Sequence, residues 1–189
     1  MSNAPLNIRS LQDQLQSLAR REGISKWDLG ASRSNSSSVQ VDRGEAKQLK
    51  AAQRSSITIR VWNQQGLVGI TSTSDLSTTG LEKALMGAHQ ASSFGNPDDI
   101  PGFSPLATAP QPDLHRPLQD AQGIQSLLNQ LLDAEKELLS RHPAIGTLPY
   151  NAMNEGSSER VYLNSEGALR QAQRTQASIF LMARAEESG

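Results

Sequence analysis

Three histidines, His89, His115 and His142, are the side chains of this sequence best suited to proton transfer or metal binding, and they lie 26 and 27 residues apart. A zinc peptidase sets two ligands one helical turn apart with a glutamate beside them to handle the water, as in His-Glu-x-x-His. No such spacing occurs here. Each histidine instead reads as ordinary: one on a helix face, one in a proline-rich loop, one at a helix end. The run Ser32–Ser38 and the pair Ser92-Ser93 offer hydroxyls, yet no Gly-x-Ser-x-Gly elbow surrounds either, so they read as strand-edge or loop serines. Asp98 and Asp99 are adjacent in a loop and fall short of the roughly six to eight oxygens that calcium takes. Neither glycine-rich phosphate loop is present, and with no cysteine there is no disulfide, thiolate ligand or thiol nucleophile. No catalytic, metal or cofactor-binding residue is assigned.

The elements that would position such residues are nonetheless clear. Ile8, Leu11, Leu15 and Leu18 recur at helical spacing and Gly23 marks a stop, which predicts a helix over about 5–22. Trp27, Leu29 and Ala31, then Val39 and Val41, alternate with polar neighbours as two half-buried strands before the turn Asp42-Arg43-Gly44-Glu45. Ile57, Ile59 and Val61 continue the alternation, and Asn63-Gln64-Gln65-Gly66 turns the chain into Leu67–Ser72. Thr79-Gly80-Leu81-Glu82 fits a capping box for a helix over about 79–93. Six of the nine prolines fall between 97 and 117, where neither helix nor ladder is sustained. Then come a leucine-faced helix from Asp120 to His142-Pro143 and strands at Ile145–Met153, Arg160–Asn164, Ala168–Thr175 and Ala177–Arg184. Turns are expected at Glu155-Gly156 and at Asn164-Ser165-Glu166-Gly167.

Helix precedes strands in both halves, and VQVDRGE near 39–45 faintly echoes VYLNSEG near 161–167. The expectation is an α+β fold: two helix-plus-antiparallel-sheet lobes, 1–96 and 118–189, joined by a proline-rich linker at 97–117. Trp27 and Trp62 are expected as core anchors, since aromatics at 4% give no stacking platform for bases. The balance of 18 basic against 19 acidic residues, net −1, argues against direct nucleic-acid binding. No apolar run approaches the roughly 20 residues that span a bilayer, and no secretory signal opens the chain. A cytoplasmic protein is expected. Glu186-Glu187-Ser188-Gly189 is turn chemistry directly after a strand, which suggests that the natural chain continues.

Six stretches taken in order carry a likeness: Val39–Glu45 followed by Ile57–Val61; Gly66–Gly69 with Thr71–Ser77; and Asn164–Gly167 with Arg174–Ser178. Together they resemble the amino-terminal region of the TldD/PmbA family, also called modulators of DNA gyrase, over roughly residues 5–189. The resemblance implies a cytoplasmic two-subunit peptidase in which a TldD-type partner holds zinc and a PmbA-type (TldE) subunit does not. Ser72–Ser77 and the Asn-Ser-x-Gly turn are closer to the PmbA side. The zinc motif of that family lies downstream, so zinc is expected only in the partner and no metal or catalytic residue carries over. A peptide- or protein-binding module, or a gyrase modulator, is the alternative. The residues behind the resemblance read mainly as scaffold: Gly44, Gly66, Gly69 and Gly167 at turns or close approaches, Asp75 and Ser77 as helix caps, and Asn164 bonding across its own turn.

Overall fold

The computed structural model describes residues 7–110 and 118–186. Five strands, β1 (Lys26–Asp42), β2 (Glu45–Trp62), β3 (Val68–Thr73), β4 (Ile145–Asn164) and β5 (Leu169–Ala185), hydrogen-bond in the order β3-β2-β1-β4-β5. Neighbours run antiparallel: β2 and β3 pair from Ile57 with Thr73 to Trp62 with Val68. With helices α1 (Ile8–Arg21), α2 (Thr78–Ala91) and α3 (Ile124–Ser140), the chain is an α+β protein.

Two compact units divide these elements. Unit 1 is Met1–Arg33, Arg54–Arg116 and Glu159–Gln173; unit 2 is Ser34–Gln53, Pro117–Ser158 and Arg174–Gly189. They interleave along the chain because β1, β2, β4 and β5, at 17 to 20 residues, each give residues to both. In unit 1 the inward side chains of the strands, Leu29, Ile57, Ile59, Val61 and Leu163, pack with Leu15 of α1 and with Leu81 and Leu85 of α2. In unit 2, Val39 and Val41 pack with Leu127 and Leu131 of α3, and Met153 and Leu181 join from β4 and β5.

Local chemistry explains where the helices begin. Asn7 caps α1 by accepting from the Ser10 amide at 3.0 Å, and the amide of Ile24 closes the far end on Ala19 across Gly23 at φ +67°. The expected capping box at Thr79–Glu82 does not form. Ser77 is the cap, accepting from the Gly80 amide at 3.1 Å, and Glu82 pairs with Arg21 instead. Similarly, α3 starts at Ile124 rather than near Asp120, because Gly123 at φ +86° is not helical. The carboxylate of Glu155 accepts from the amides of Gln122 and Gly123 at 2.9 and 3.1 Å. Glu155 and Gly156 therefore make no turn; they lie inside β4, where Gly156 lets the backbone of Asn35 approach. The serine run 32–38 likewise continues β1 as strand, so the two strands expected before Asp42 are one. So too, the two strands expected after Ala168 are a single β5, and β2 begins at Glu45 rather than near Ser56.

Part of the proline-rich stretch is described, Pro97–Pro110, and it contains neither helix nor strand. Pro112, His115 and Pro117 lie outside the described residues, as do the start of the expected first helix at 5–6 and the terminal Glu187-Ser188-Gly189.

Close backbone packing gives the fold a sharp test at Gly69. A Cβ there would overlap the carbonyl of Ala88 and the amide of Ser92. Gly69→Ala is expected to lower stability by about 3 kcal/mol in urea titration, whereas Gly102→Ala, with open space around it, changes it by less than about 0.5 kcal/mol.

Candidate functional site

Alternation on the strands of unit 1 sends one set of side chains to the helices and leaves the other on an open sheet face. Asp28 stands on that face and is 3% exposed. A carboxylate so buried needs full compensation. Arg60 of β2 supplies a two-pronged bond: Nε lies 2.9 Å from Oδ1, and Nη2 donates to Oδ2. The Tyr162 hydroxyl of β4 donates to Oδ2 at 3.2 Å. Bonding to Asp28 raises the Arg60 guanidinium above its usual value. Burial, reinforced by the charge of Asp28, pushes the Tyr162 phenol up. Three strands are thus tied by one ion pair and one hydroxyl.

The row continues into the proline-rich segment. The Arg60 guanidinium lies 5.2 Å from the ring centre of Trp62, and the Trp62 indole donates to the Pro101 carbonyl at 2.9 Å. Phe103 meets Trp62 edge-on at 4.9 Å, and the Lys26 ammonium sits over both rings at 5.1 and 5.0 Å. Further along, Arg170 of β5 donates to the carbonyls of Leu106 and Ala109. Residues 101–109 are therefore held at two points, Trp62 and Arg170. Beside Arg170 the open face carries a cavity of about 450 Å³ lined by residues of β1, β2, β4 and β5.

A second buried carboxylate organises unit 2. Glu135 of α3 is 2% exposed although it sits on the leucine-rich face. Its Oε2 accepts from the Gly44 amide at 2.7 Å and its Oε1 from the Asn151 side chain at 3.0 Å, while Asn151 accepts from the Val41 amide at 3.0 Å. This network locks the β1–β2 turn, where Arg43 and Gly44 take φ of +54° and +80° as a type I′ hairpin requires. Nothing in the heptad-like spacing of α3 marks Glu135 as inward-facing except its position four residues after Leu131.

The residues singled out in the sequence lie apart from one another. Gly66 at φ +82° closes the β2–β3 turn, where the Asn63 side chain accepts from the amides of Gln65 and Leu67. Gly69 lies against α2, as described above. Asp75 accepts from the Ser77 amide at 2.9 Å, which holds its carboxyl below the usual range, and Ser77 caps α2. Asn164 accepts from the amides of Glu166 and Ala168 at 3.1 and 2.8 Å across the turn containing Gly167 at φ +87°. Of the histidines, His89 lines a polar cavity of about 610 Å³ with Glu22 and Asn63, and His142 accepts from the Ala144 amide at the end of α3. His115 falls outside the described residues. Asp98 and Asp99 are exposed in their loop, and Trp27 and Trp62 are buried. Among the described residues no three His, Cys, Asp or Glu side chains converge as a ligand set. Sequence reasoning missed Asp28, Arg60, Tyr162, Glu135 and Asn151. Asp28 sits at an ordinary polar position of the Trp27, Leu29, Ala31 alternation, so nothing in the sequence marks it as buried.

Comparison with known proteins gives a consistent family. Residues 27–91 match the PmbA/TldA metallopeptidase domain 1 and residues 117–189 the PmbA/TldA metallopeptidase central domain. No curated protein matches. Among solved structures, a protein from Bacteroides thetaiotaomicron named as a modulator of DNA gyrase superposes with a TM-score of 0.77 at 16% identity, over 96% of this chain and 42% of its own. A protein of the same description from Thermotoga maritima gives 0.75 at 16% identity, over 96% and 40%. TldE from Thermococcus kodakarensis gives 0.71 at 16% identity, over 92% and 40%. At that identity the likeness is one of fold, and this chain spans about two fifths of each of these structures.

The buried pair is open to direct measurement. Asp28→Ala, which strands the Arg60 guanidinium, is expected to cost about 1–3 kcal/mol in denaturant titration. Adding Arg60→Met to it should restore part of that loss, since two apolar side chains leave no uncompensated charge.

Proposed function

This chain belongs to the TldD/PmbA family, and from that premise we propose that it supports zinc-dependent peptide proteolysis as part of the metal-free, TldE-type subunit, paired in the cytoplasm with a TldD-type metallopeptidase. The observation that carries this reading is the family match over residues 27–91 and 117–189. Asp28 is taken up by Arg60 and Tyr162, and Glu135 by Gly44 and Asn151, so both hold backbone and strands in place. Neither is free to serve as a water-activating base. The described residues do not assemble a zinc ligand set, so no step of hydrolysis is assigned to them. The motifs Ser72–Ser77 and Asn164–Gly167 favour the TldE side.

A second reading has its own observation. β5 is an outer strand of the sheet, its residues almost all exposed, and an outer strand offers backbone groups to an extended peptide whatever its sequence. Peptide capture by this edge fits a supporting subunit of a peptidase. Direct gyrase or DNA contact is the weaker alternative, given the net charge of −1.

Sedimentation of the protein mixed with a TldD-type subunit tests the proposal. A single faster species containing both chains is expected; two independent boundaries at micromolar concentration would remove the pairing from the account.

A further inference from the structure

The cavity on the open sheet face of unit 1 combines a small-residue floor with surplus positive charge. Gly30 has no side chain, and Ser32 and Ser56 beside it are short, so the longer side chains of Arg160, Tyr162 and Arg170 stand around a recess of about 450 Å³. Asp28, the buried acid of this face, does not neutralise these arginines, because both its oxygens are already engaged by Arg60 and Tyr162. Among the described residues, neither Arg160 nor Arg170 forms an ion pair with a carboxylate. Arg160 is exposed. Arg170 is half-buried and donates only to the neutral carbonyls of Leu169, Leu106 and Ala109.

A guanidinium bonded to neutral acceptors gains when a charged oxygen replaces them, since charge-assisted bonds are about twice as strong as neutral ones. We infer that this cavity is a binding site for an oxyanion, a carboxylate or a phosphate, gripped by Arg160 and Arg170 with the Ser32 and Ser56 hydroxyls as further donors. The volume exceeds that of a bare anion and lies within the range of small-molecule pockets, so the ligand is a small molecule or chain end bearing that group. Because Arg170 also holds residues 106–109, a ligand that draws its guanidinium into the cavity loosens that stretch. The inference stands on the cavity itself and does not depend on the pairing proposed above.

Calorimetric titration of the protein tests it with three probes: inorganic phosphate, an N-acetylated dipeptide with a free carboxylate, and the same dipeptide as its carboxamide. Saturable binding of phosphate, of the free acid or of both is expected, with at least tenfold weaker binding of the carboxamide. Which of the two anions binds identifies the source. Arg160→Gln, a change at an exposed side chain, should weaken the bound anion at least tenfold with an unchanged melting temperature; Arg170→Gln should weaken it at least tenfold too, and should by itself speed cleavage within 104–110, since it also removes the bonds to Leu106 and Ala109. The bound anion should also speed proteolytic cleavage within 104–110. Failure of both anions to saturate, equal binding of the carboxamide, or binding that survives Arg160→Gln would overturn the inference.

Discussion

Everything in this molecule follows from burying one face of each stretch of sheet and leaving the other to be managed with polar chemistry. Helices α1 and α2 cover the inward face in unit 1, and α3 covers it in unit 2. Burial of that kind, at roughly 25 cal/mol per Å² of apolar surface, is the main favourable contribution to the fold. The uncovered face of unit 1 is stabilised differently: an aspartate is removed from water there and compensated by an arginine and a tyrosine from the flanking strands. An ion pair so placed adds little net stability but makes other strand registers costly, because a shift of one residue would strand Asp28 against the helices.

The same principle operates in unit 2 with different partners. Glu135 occupies a core-facing position on α3, where a leucine would satisfy the apolar pattern, and it spends its charge on a backbone amide and an amide side chain. The result is a fixed relation between α3 and a tight hairpin that needs two residues at positive φ. In both units a buried carboxylate holds backbone or strands in place.

Much of this was legible in the sequence because it rests on periodicity and turn chemistry. The alternation of Ile57, Ile59 and Val61, the helical spacing of Leu11, Leu15 and Leu18, and the glycines at 44, 66 and 167 all report local geometry. Element lengths were less legible. Ser32–Ser38 and the segment around Gly156 look like breaks because serine and glycine favour turns, but pairing with neighbouring strands overrides that preference. The start of α3 is hard to read locally because the residue that holds the two amides just before it, Glu155, lies far along the chain. The cavity and its arginines were invisible for the same reason: Ser32, Ser56, Arg160 and Arg170 are brought together only by the strand order β2-β1-β4-β5.

Asp28 and Arg60 are committed to holding the sheet and Glu135 to holding its hairpin, while β5 ends the sheet on one side. The role we propose is support of proteolysis by a TldD-type subunit that provides the metal. Hydrolysis of an unstructured peptide by a TldD-type subunit, followed with and without this protein and with a chelator, tests it most directly. The account predicts chelator-sensitive cleavage that requires both chains, and none from this protein alone; cleavage by this protein alone, or equal cleavage by the TldD-type subunit without it, would contradict the account.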